Sequence, residues 1–115
     1  VRMKNGRSHT YTPEKTESFE TKVYFEGVKY RPAQLFDGPL LIEATFYRTR
    51  PKSKPKAKYP ATKPDLGNLI KSVCDALQGV IYTNDSRFVD KLLHKRYGDP
   101  PRVEIKILEV EDAQY

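Results

Sequence analysis

The sequence predicts an α+β domain: a small mixed or antiparallel sheet with two helices packed on it. Three observations predict it. Residues 63–79 carry apolar side chains at helical spacing, and residues 40–46 and 103–107 alternate at period two. In order, the chain reads helix, strand, basic segment, helix, strand, strand. Its 115 residues suit one domain spanning 1–115. With 37% hydrophobic and 31% charged residues the chain is polar for its size, which leaves room for a partner subunit to complete part of the core.

Residues 1–10, VRMKNGRSHT, are basic and turn-rich, with Asn5-Gly6 as a turn signal. They read either as a loop or frayed end, or as a phosphate-contacting loop through Arg2, Lys4 and Arg7. His9, alone in that turn, is not a metal-ligand candidate. Thr12-Pro13 with Glu14 and Glu17 predicts a helix start, and the helix runs to about Gly27 with Phe19, Val23 and Tyr24 toward the core. Residues 28–38 are irregular. In 39–48, Leu40, Ile42, Ala44 and Phe46 alternate with Leu41, Glu43 and Thr45, and apolar side chains on both sides early in this strand predict a central place in the sheet.

Residues 48–64, RTRPKSKPKAKYPATKP, contain no acid and four prolines, so extended or polyproline-like backbone is expected. Such a run is a solvated loop or a DNA-backbone contact through Arg50, Lys52, Lys54, Lys56, Lys58 and Lys63. The contact reading is preferred because the run leads directly into Asp65. Tyr59 is a weak candidate for stacking on a base.

The helix after this loop is the centre of the chain. With Asp65 at zero and 100 degrees per residue, Leu66, Leu69, Ile70, Val73, Ala76 and Leu77 fall in one arc about 120 degrees wide. Asn68, Lys71, Ser72 and Asp75 lie opposite, with Asp65. Pro64 suits the first turn, Asp65 the positive end of the dipole, and Gly79 a left-handed stop. Cys74 is a packing residue at the edge of the apolar arc. After VIY, the TNDS turn carries Asp85, and spacing alone does not fix where that acid folds. Residues 88–97 and 102–110 then read as two strands of an antiparallel hairpin across Gly98–Pro101, with His94 structural or a surface base and a frayed acidic tail.

The segment KPDLGNLIKSVCDALQGVIYTNDSRFV resembles the core motif of the RusA family of Holliday junction resolvases through Asp65, Leu66, Asn68, Leu69, Lys71, Asp75, Ala76, Leu77, Gly79 and Asp85. Tyr11-Thr12-Pro13 also resembles that family's N-terminal pattern. The resemblance implies a homodimer that binds four-way junction DNA and, with Mg²⁺, nicks opposite strands symmetrically in recombination and repair. It implies Asp65 and Asp85 as metal ligands, Lys71 as a catalytic cation that also meets DNA, and no small-molecule cofactor. Asp75 is either a further acid of the site or a structural one. Taken singly, Asp65 also reads as a helix cap and Asp85 as an Asx turn. A phage or prophage origin and an additional N-terminal strand upstream of Val1 belong to the same expectation. One position departs from the pattern: the second acid of the helix is Gly67 here. Cleavage is therefore expected to be impaired, and a catalytically inactive junction-binding protein is the alternative. A general basic nucleic-acid binder is the third reading.

The formal charge of +6 favours a polyanionic partner without proving one. A single cysteine excludes an internal disulfide framework and fits a reducing cytoplasm. No apolar run approaches a membrane span, and no signal peptide is visible.

Overall fold

The computed structural model describes residues 19–110. Two helices, α1 (Phe19–Val28) and α2 (Leu66–Leu77), accompany three strands, β1 (Leu40–Arg48), β2 (Phe88–Tyr97) and β3 (Arg102–Glu109). The predicted capped start of the first helix lies outside the described residues. The sheet order is β2-β1-β3, so β1 is central as its two-sided apolar content predicted. Its burial alternates: Leu40, Ile42, Ala44 and Phe46 are buried, and the residues between them only partly so. The buried set joins Val23 of α1 and Ile70, Val73, Ala76 and Leu77 of α2 in one core. Both helices therefore lie against one face of the sheet. Phe19 packs near Phe46, with ring centroids 6.2 Å apart. Tyr24, expected to face the core, is exposed and meets Phe25 edge-on.

The expected hairpin is absent. β1 pairs parallel with β2 and antiparallel with β3, so β2 and β3 run in opposite directions but do not touch. The most apolar strand takes the doubly flanked place, and the two more charged strands take the edges. Residues 98–101 cross the end of β1, a gap of about 10 Å that four residues span. The Gly98 amide donates to Arg48 O at 2.9 Å. A Cβ at Gly98 would collide with the Tyr47 ring, 2.6 Å away, so only glycine fits this crossing.

In α2 every apolar position of the predicted arc is buried or half-buried. Asp65 is the N-cap, its Oδ1 accepting from Asn68 N at 2.8 Å. Pro64 thus stands ahead of the cap rather than in the first turn. Gly79 carries the left-handed φ of 82° that ends the helix. Val80, Ile81 and Tyr82 are then buried, and the Tyr82 hydroxyl donates to Cys74 O at 2.7 Å. Burial raises both the Tyr82 phenol and the Cys74 thiol above their usual ranges, so neither ionises and Cys74 packs as predicted.

Residues 48–64 are not extended. Two turns form, closed by Lys54 N to Pro51 O and Ala57 N to Lys54 O, and Pro60 is fully buried. Side chains at the strand ends hold the loop and supply what the prolines cannot. No helix among the described residues is long and apolar enough to cross a membrane.

Candidate nucleic-acid interface and acidic site

The basic loop divides into braces and free cations. Arg48 Nη1 donates to Lys63 O at 2.9 Å and Thr62 Oγ1 at 3.2 Å. Lys95 Nζ donates to Pro64 O at 2.9 Å and to Thr62 O. Arg50 Nε donates to Ala57 O at 2.8 Å while its guanidinium lies over the Tyr97 ring. These three cations fix the path of the loop into α2. Arg50, read from sequence as a DNA contact, is therefore first a brace. Lys52, Lys54, Lys56, Lys58 and Lys63 are exposed, and their side chains take no hydrogen bond or ion pair among the described residues. Arg2, Lys4 and Arg7 lie outside the described residues.

The loop delivers the chain to Asp65. One oxygen of that exposed carboxylate caps the helix, and the other faces outward. Gly67 follows in the first turn. A Cβ there would meet only Asp65 Oδ1, at 3.5 Å, an ordinary contact. Nothing in the packing demands glycine, and a carboxylate at 67 would stand beside that of Asp65.

Lys71 and Asp75 pair across one turn of α2, Nζ to Oδ2 at 3.1 Å, with both side chains exposed. The hydrogen bond and charge of Asp75, helped by Glu20 and Asp85, raise the Lys71 pKa and keep its ammonium protonated. The acid left open by sequence thus holds the lysine.

Asp85 begins a 3₁₀ turn, Asp85–Arg87, capped by Asn84, whose side chain accepts from Ser86 N at 2.8 Å. Its own amide donates to Gln78 Oε1 at 2.8 Å. Asp85 is thereby tied to Gln78, the C-cap of α2, and its charge reaches Lys71. Asp37 locks the turn from the other side: its Oδ1 accepts from Thr83 Oγ1 at 2.6 Å and from Arg87 at 3.0 and 3.2 Å. The Thr83 hydroxyl first, then the Arg87 guanidinium, hold the Asp37 carboxyl below the usual carboxylate range.

Among the described residues, no group of three or more histidine, cysteine, aspartate or glutamate side chains could hold a metal ion. The described side chains do not by themselves make up a ligand set for a divalent cation. With Gly67 in place, the motif's second acid is missing from the first turn after Asp65.

Sequence reasoning missed Arg48, Lys95, Gln78 and Asp37. Asn84 was visible as part of an Asx turn. The others act across 7 to 50 residues of sequence and carry no local signal.

Residues 1–108 match the family of endodeoxyribonuclease RusA. The chain belongs to the RusA endodeoxyribonuclease family. It is 38% identical over 119 residues to the uncharacterized protein YqaN of Bacillus subtilis (strain 168), covering 94% of this chain and 84% of that protein. It is 26% identical over 113 residues to a crossover junction endodeoxyribonuclease rusA of Lactococcus phage r1t, covering 96% of this chain and 85% of the phage protein. The RusA match covers the lysine loop, Asp65, Lys71 and Asp85 together.

Proposed function

We propose that this chain acts on four-way (Holliday) DNA junctions as a homodimer in the cytoplasm, and that its Mg²⁺-dependent cleavage is impaired by Gly67. The observation that carries this is the tethered lysine loop ending on Asp65, beside an open place where the motif has an acid. The five unpaired lysines neutralise phosphates and bring the backbone to the helix start. Lys71, kept charged by Asp75, offsets negative charge that builds on a phosphate under attack. Asp65 and Asp85 are the acids of the reading. The Mg²⁺ expected from the resemblance would supply Lewis acidity to the phosphodiester. Mg²⁺ needs near-octahedral oxygen ligands, and with Gly67 the chain falls short of them.

Family membership and the loop also fit a second reading, a junction-binding protein without useful cleavage, and the missing third acid favours it. Cleavage of a synthetic four-way junction with Mg²⁺, by this chain beside Gly67→Asp, separates the two. We expect clear symmetric nicking by Gly67→Asp and little by the chain as it stands. Full cleavage with Gly67 in place would sink the impairment. Inactivity of both with retained junction binding selects the second reading.

A further inference from the structure

The end of the basic loop folds around the edge strand. Lys95 and Arg96 are neighbours on β2 and so point to opposite sides of the sheet. Lys95 holds the carbonyls of Thr62 and Pro64 on the helix side. The Arg96 guanidinium donates to Lys95 O at 2.8 Å and lies 5.4 Å from the centroid of the Tyr59 ring. Tyr59 is nevertheless 62% exposed. The ring has a cation over it and leaves most of its surface to solvent. The next residue, Pro60, is fully buried, and the Tyr59 carbonyl accepts from Ala61 N at 3.0 Å. The ring is therefore held out from an anchored backbone.

An exposed aromatic face, backed by arginine and flanked by unpaired Lys56 and Lys58, suits a nucleobase. A base that remains stacked in a continuous duplex has no free face to offer. A base at a branch point does. Six residues separate Tyr59 from Asp65, a reach of at most about 20 Å, or about six phosphate spacings along one strand.

We propose that Tyr59, backed by Arg96, is a stacking platform for an unstacked DNA base at the branch point, and that it adds selectivity for branched over linear DNA. This rests on the junction reading above. The lysines hold any DNA, whereas the ring distinguishes branched from linear.

The test measures affinity for a four-way junction carrying 2-aminopurine at its branch point and for a linear duplex of the same sequence, across a salt series. Tyr59→Ala should weaken junction binding about tenfold and leave duplex binding nearly unchanged. The slope of log affinity against log salt should not move, because no phosphate contact is lost. Tyr59→Phe should keep the junction preference, and Arg96→Gln should reduce it. The unmodified chain should quench 2-aminopurine, and Tyr59→Ala should not. Equal loss on both DNAs, or quenching that survives Tyr59→Ala, overturns the platform. If the unmodified chain holds junction and duplex equally, the junction reading falls and the platform with it. If that preference exists and Tyr59→Ala keeps it, the platform alone falls.

Discussion

Asp65 caps α2 and, in the proposed function, also serves as an acid of the site, and substitution can separate the two tasks. Its Oδ1 caps α2 by accepting from Asn68 N, and the proposal gives its charge a second use. Asparagine caps as well as aspartate, while alanine loses about 1 kcal/mol. Asp65→Asn should therefore unfold in urea at nearly the midpoint of the parent, and Asp65→Ala should unfold earlier by about that energy. In a Gly67→Asp background both should lose junction cleavage. Cleavage that survives Asp65→Asn would reduce this residue to a cap. Taken alone, an acid before an apolar helical arc reads first as a cap, and only the ten-position motif match turned the reading toward an acidic site. Gly67 is the clearer signal. Its open surroundings show that glycine answers no steric demand, which sequence alone could only infer from the cost of glycine in a helix.

At the scale of elements, periodicity carried most of the fold. The arc of α2 and the alternation in β1 and β3 follow from residues within each segment, so they were legible. The pairing of strands was not. A four-residue connection between 97 and 102 suits a hairpin and equally a short crossing over β1, and only the competition for the central place decides. The site divides in the same way. Asp65, Lys71 and Asp85 stand in a local motif, but what holds Asp85 comes from Asp37, far along the chain. That clamp has a pH signature. The folded-state pKa of Asp37 is lowered by Thr83 and Arg87. Its stabilising contribution is thus full above the carboxylate's unfolded value and is lost as pH falls through the folded one. Urea unfolding of the parent and Asp37→Asn should differ at pH 6, and the difference should shrink toward pH 3. A gap that is constant, or that widens in acid, would show that the Asp37 charge does not hold the turn.

At the scale of the whole molecule, the described residues cover one face of the sheet more fully than the other. The helices shield Leu40, Ile42, Ala44 and Phe46, whereas Leu92 and Leu108 on the opposite side of the sheet are about half exposed beside the Glu43–His94 pair. In the homodimer proposed above, a second copy could cover these residues. The proposed function asks for the same thing, because one active centre makes one cut and symmetric resolution requires two related by a twofold axis. Sedimentation equilibrium without DNA should therefore give twice the 13.3 kDa of one chain. The junction complex should contain two chains per four-way molecule, and Gly67→Asp should release both nicks from one binding event. On a supercoiled plasmid with an extruded cruciform, paired cutting yields linear product directly, while independent cutting accumulates the nicked circle first. A monomer at working concentration with nicked circle as the main product would leave the family assignment standing and remove the paired mechanism.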